Sequence, residues 1–111
     1  MLEPCRAYVL RFLLTFVLVA PASAAGAIDD PPNAANGRRL AQTWCASCHL
    51  VTPSQSGPTT EAPPFRTIAM KPDFDVGNLA QFLRDPHPKM PNMQLSRTEA
   101  ADLAAYIKSL K

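Results

Sequence analysis

A chain of 111 residues with 47% hydrophobic content has room for one small core and no second domain. Its 11 Lys and Arg stand against 9 Asp and Glu, a formal charge of +2, which gives no bulk charge for binding nucleic acid or an anionic membrane. The first stretch carries Arg6 and Arg11, then the apolar run from Phe12 to Ala20, then small residues ending in Ala22-Ser23-Ala24. That order predicts a secretory signal peptide over residues 1–24, cleaved after Ala24, with Ala27 as the alternative. Pro21 and the small residues after it dilute the run below the roughly 20 apolar residues of a membrane span. Cleavage at either position removes Cys5 and leaves Cys45 and Cys48, with nine Lys and Arg against eight Asp and Glu.

Residues 25–32 read as a flexible leader in which Asp29, Asp30, Pro31 and Pro32 can start a helix but not continue one. The folded domain is therefore expected over 33–111. A first helix is predicted from about Asn33 to Ser47, with Gly37, Leu40, Ala41 and Trp44 at i, i+3, i+4 and i+7 on one packed face. Glycine there costs about 1 kcal/mol relative to alanine. Its presence on that face points to close approach of a second backbone.

The helix leads into Cys45-Ala46-Ser47-Cys48-His49, a C-x-x-C-H run. Two thiols one turn apart can add to the two vinyl groups of a porphyrin, and the adjacent imidazole then stands at the iron as proximal ligand. The competing readings are a redox dithiol, which needs strands around it, and a zinc site, which normally needs four ligands. No strand pattern is visible in the chain, and two Cys and two His are all that remain after cleavage.

From Leu50 to Pro64 the chain carries Pro53, Gly57, Pro58, Pro63 and Pro64 without apolar periodicity. A long loop in a small domain usually wraps something or serves a site. A neutral proximal imidazole needs an acceptor for its other ring N–H. The carbonyl of Pro63 is the first candidate and that of Pro58 the second. Phe65, Ile68 and Met70 follow as a short apolar turn, all three read as packing residues.

Asp75 reads as an N-cap, after which Val76, Leu79, Ala80 and Leu83 form an apolar helix face that ends before Pro86. The next loop contains Pro86, Pro88 and Pro91 and is stiff enough to hold a side chain in place. The last helix opens on the capping box Ser96-x-x-Glu99 and carries Ala100, Leu103, Ala104, Ile107 and Leu110 on one face, flanked by Tyr106. A sixth iron ligand is available from Met90, Met93, Met70 or His87. A thioether raises the reduction potential. Met90 is the choice because it sits in the proline loop, whereas Met93 and Met70 read as packing and His87 as an exposed loop residue.

With these residues in place, the chain resembles the small, monohaem class I c-type cytochromes of bacterial periplasms, over essentially all of 33–111. The resemblance implies an all-α fold of three main helices and long loops around one haem c. It places covalent attachment on Cys45 and Cys48, the proximal ligand on His49 and the distal ligand on the Met90-Pro91 pair. It also implies that Gly37 marks a crossing of the first and last helices against Leu103 and Tyr106. Two departures stand out. Ala41 occupies a position where many members carry an aromatic, with Trp44 as the side chain to compensate, and Met93 follows the Met-Pro pair.

The implied function is electron transfer without substrate chemistry, by a monomer in the periplasm. Its partners would be a donor dehydrogenase and an acceptor oxidase or reductase, met transiently. The alternatives are a haem subunit docked to a periplasmic dehydrogenase and, from another class, an open-site haem sensor or enzyme. The haem edge is expected to be framed by Ala46, Ser47 and the 86–93 loop, with Lys89 on its rim.

Overall fold

A computed structural model describes residues 30–57, 62–85 and 88–111. The predicted signal peptide with Cys5, Ala24 and Ala27 lies outside these residues, as do most of the 25–32 leader, Pro58, Pro86 and His87. All regular structure among the described residues is helical.

Helix α1 spans Ala34–Leu40. It starts where it does because the Asn33 side chain accepts from the Ala35 and Asn36 amides at 3.0 and 3.1 Å, satisfying two otherwise orphaned donors. The chain then winds on as a π-helical turn over Ala41–Cys45, with the Ala46 amide donating to the Ala41 carbonyl. This differs from the single α-helix expected to Ser47, and the difference decides which side chain is buried. The wider π winding retards the helical register. Cys45 turns inward at 5% exposure, while Trp44, expected on the packed face, is left 55% exposed. Ala41 is fully buried.

The apolar turn after the loop is a short helix, α2, over Phe65–Ala69. Phe65 and Ala69 are buried and Ile68 packs against the core, but Met70, expected to pack, is 58% exposed. It falls at the C-cap, where the chain leaves the buried face. Helix α3 spans Val76–Arg84, with the Asp75 carboxylate accepting from the Asn78 amide at 2.7 Å. Its apolar face is only half buried: Val76, Leu79, Ala80 and Leu83 all retain some exposure. Helix α4 spans Arg97–Lys108 and opens on the complete capping box, Ser96 Oγ accepting from the Glu99 amide and Glu99 Oε2 accepting from the Ser96 amide.

Helix α4 is the element on which α1, α2 and α3 all pack. Leu103 and Ile107 are about 1% exposed, and burial of each contributes on the order of 1.5–3 kcal/mol. The α1–α4 crossing is made at Gly37, where a Cβ would overlap the Asp102 carbonyl and stand 2.9 Å from Tyr106 Cβ. The backbones touch because there is no side chain between them. Asp102, 3% exposed, is satisfied by the other helix: its carboxylate accepts from the Asn33 amide at 2.6 Å and from the Asn36 side-chain amide at 2.7 Å.

Candidate functional site

The C-x-x-C-H run sits on the turn that follows the π segment. The Cys48 and His49 amides both donate to the Cys45 carbonyl, at 3.1 and 2.8 Å, which curls the run so that the imidazole follows directly on the two thiols. Neither thiol is in a disulfide, and the two differ in setting, Cys45 buried and Cys48 exposed. Burial pushes the Cys45 thiol up to about 11, and the neighbouring Cys48 adds to the shift. At neutral pH Cys45 is therefore a protonated thiol.

His49 is 6% exposed, and its Nδ1 lies 2.7 Å from the Pro63 carbonyl oxygen. A carbonyl can only accept, so Nδ1 carries the proton and donates. Nε2 is then the nitrogen with the free lone pair. It makes no hydrogen bond to a described residue. The ring is held from the side by Phe65, centroid to centroid 5.3 Å, and Phe65 in turn meets Tyr106 edge-on at 6.5 Å.

Loop closure brings Pro63 to this ring. The Phe65 amide donates to the Leu50 carbonyl at 3.0 Å, drawing the end of the loop back to its start. Val51, 1% exposed, is held at both polar atoms: its amide donates to Gln55 Oε1 at 3.0 Å and its carbonyl accepts from the Tyr106 hydroxyl at 2.6 Å. Gln55 also donates through Nε2 to the carbonyls of Ala46 and His49, each at 3.2 Å. Burial shifts the Tyr106 hydroxyl upward, which keeps it a donor over a wider pH range.

Of the sulfur candidates, Met90 is half-buried in the proline loop and Met93 packs against the core cluster. Past them Gln94 takes a φ of 51°, and its amide donates to Asn92 Oδ1 at 2.9 Å, a tight turn that leads into α4. Gln55, Asp102 and the Tyr106 hydroxyl are structurally central and were not singled out as polar contacts from the sequence. Asp102 alone carried a signal, as a carboxylate adjacent to the apolar face of an amphipathic helix. Nothing in the composition of the loop distinguishes Gln55.

These residues fit a covalently held haem. Two thiols outside any disulfide lie one turn apart, an imidazole is tethered through Nδ1 with Nε2 available, and Leu79, Leu83 and Met93 keep apolar surface uncovered while packing against the core.

Comparison with known proteins gives the same direction. Residues 32–107 match the family described as cytochrome C oxidase, cbb3-type, subunit III. The chain is 47% identical over 102 residues to a protein named cytochrome c-552 from Bradyrhizobium diazoefficiens, covering 92% of this chain and 95% of the relative. No solved structure gives a significant match.

Proposed function

This chain belongs to the cytochrome c family and is an electron-transfer protein with covalently bound haem c, and from that premise we propose how its own residues perform the transfer. Cys45 and Cys48 hold the haem through thioethers, His49 Nε2 is the proximal ligand and Met90 the distal one. Pro63 fixes the imidazole by accepting its Nδ1–H. The observation that carries this reading is the His49–Pro63 contact of 2.7 Å beside the two cysteines of a C-x-x-C-H run, neither of them in a disulfide. Such a contact sets the tautomer and raises ligand basicity.

The bound haem supplies a reversible Fe(II)/Fe(III) couple at the potential set by its axial ligands and surroundings. The chain's part is to keep the ligands in place through both states and to exclude water from the ring. Phe65 packs beside His49, and the anchored Val51 closes the loop next to it. The chain makes and breaks no substrate bond, so no acid, base or nucleophile is required of it.

Among the described residues no helix is long and apolar enough to cross a membrane. The signal-like stretch at 1–24 supports an exported protein, and the reading extends to a monomer acting in the periplasm between a dehydrogenase donor and an oxidase or reductase acceptor. Encounters of this kind use small interfaces. With charge near balance, transfer rates should fall only mildly with added salt.

The deciding experiment is the haemochrome spectrum of the secreted protein after denaturation and solvent washing. Haem retained on the wild-type chain and lost from a Cys45→Ala, Cys48→Ala double variant supports thioether attachment. A colourless wild-type chain from a host able to attach haem overturns it.

A further inference from the structure

The segment that follows His49 is pinned with unusual completeness for a loop. The His49 carbonyl accepts from Gln55 Nε2, the Leu50 carbonyl from the Phe65 amide, and the Val51 carbonyl from the Tyr106 hydroxyl, while the Val51 amide donates to Gln55 Oε1. Two of those four bonds belong to one side chain. Gln55 makes a third bond to the Ala46 carbonyl, inside the C-x-x-C turn. One amide therefore ties the turn that carries the thiols, the residue that carries the imidazole and the strand of loop that leaves it.

The Gln55–Ala46 and Gln55–His49 bonds are donations from a single NH2 group at 3.2 Å each, and the acceptance from Val51 uses the other end of the same planar amide. A planar group with both ends engaged cannot rotate without breaking bonds at both. The Pro63 carbonyl constrains the tip of the imidazole, and Gln55 constrains the backbone from which it hangs.

We infer that Gln55 is a positioning residue for the ligand histidine, setting the orientation of the His49 imidazole plane through the His49 and Ala46 carbonyls. The inference rests on the ligation of His49 proposed above. It extends that reading to a side chain outside the C-x-x-C-H run and the proposed iron ligands.

The test uses the secreted holoprotein with Gln55→Leu and Gln55→Glu. The glutamate keeps an acceptor for the Val51 amide but has no donor for the two carbonyls. In the ferric protein the pattern of haem methyl proton shifts follows the orientation of the axial imidazole. Both variants should redistribute those shifts relative to wild type, and Gln55→Leu should shift the reduction potential. Hydrogen exchange at the Val51 amide should quicken about tenfold or more in Gln55→Leu, as for loss of one hydrogen bond, and stay protected in Gln55→Glu. Exchange at Leu103 and Ala104 in α4 should remain at the wild-type rate in both.

A Gln55→Leu protein with the wild-type methyl pattern and potential overturns the inference and leaves Gln55 a loop staple. His49→Ala separates this from failure of the ligation itself. If that variant keeps the wild-type low-spin spectrum, His49 is not the ligand and both readings fall; if its spectrum changes while the Gln55 variants match wild type, only the positioning role is lost.

Discussion

Gly37 and Asp102 meet backbone to backbone at the crossing of α1 and α4, with the Asp102 carbonyl in the space that a side chain at position 37 would take. The same aspartate reaches back with its carboxylate to the Asn33 amide and the Asn36 side chain. One residue of α4 thus both accepts the close approach and caps the helix that makes it. The crossing holds α4 in the place from which Tyr106 reaches the loop beside His49.

Gly37→Ala is expected to destabilise the holoprotein by about 3 kcal/mol, the upper part of the range for overpacking, because the obstacle is a carbonyl in a helix and not the end of a flexible side chain. Denaturant titration followed by far-UV circular dichroism measures this. A variant within about 0.5 kcal/mol of wild type, the ordinary scatter of harmless substitutions, would show that the helices can slide apart freely.

Tyr106→Phe removes the donor to the buried Val51 carbonyl and should cost about 1–3 kcal/mol at neutral pH. The hydroxyl titrates above its ordinary value in the fold, so its contribution is complete below the unfolded value near 10 and is lost as pH rises through the folded value. The gap in stability between wild type and Tyr106→Phe should narrow above pH 10. Denaturation midpoints of both proteins from pH 7 to 11 give the comparison.

Glu99 is held below the ordinary carboxylate range, chiefly by the Ser96 amide and then by the Ser96 hydroxyl. A lowered folded value means that its contribution is present above the unfolded value and is lost as pH falls through the folded one. Glu99→Gln retains the capping geometry without the charge. The stability advantage of wild type over this variant should shrink between pH 6 and pH 3, as thermal denaturation at each pH would reveal; an advantage independent of pH would assign the cap to geometry alone.

Replacement of Met90 by alanine should open the sixth position, so that the ferrous protein binds carbon monoxide at neutral pH while wild type does not. Met93→Leu should keep the wild-type spectrum, since Met93 packs against the core cluster. The reverse pattern would move the distal ligand to Met93. Visible spectra of the reduced proteins under carbon monoxide distinguish the two.

The capping devices of α3 and α4 were legible because each closes within a turn. Asp75 and Ser96 with Glu99 satisfy amides three residues away, so short stretches of sequence carry the whole interaction. The apolar periodicity of α4 was legible for a similar reason: its face is repeated at helical spacing, and Ala100, Leu103, Ala104 and Ile107 are all buried. Trp44 was misplaced because periodicity presumes a constant winding, and the π turn over Ala41–Cys45 breaks it. Met70 was misplaced because a terminal position looks the same in sequence as an interior one.

By itself the sequence determined the chemistry of the site, since C-x-x-C-H puts two thiols and an imidazole together through covalent geometry alone. It also determined the need for a close backbone approach at Gly37, because glycine inside a helix is unfavourable without one. The tertiary structure decided what lies against these groups. The Pro63 carbonyl at His49, the Tyr106 hydroxyl at Val51 and the Asp102 carboxylate at Asn33 join residues 14, 55 and 69 positions apart. Each is one polar contact made when loops and helices close, and a single donor or acceptor leaves no periodic trace in the chain that supplies it.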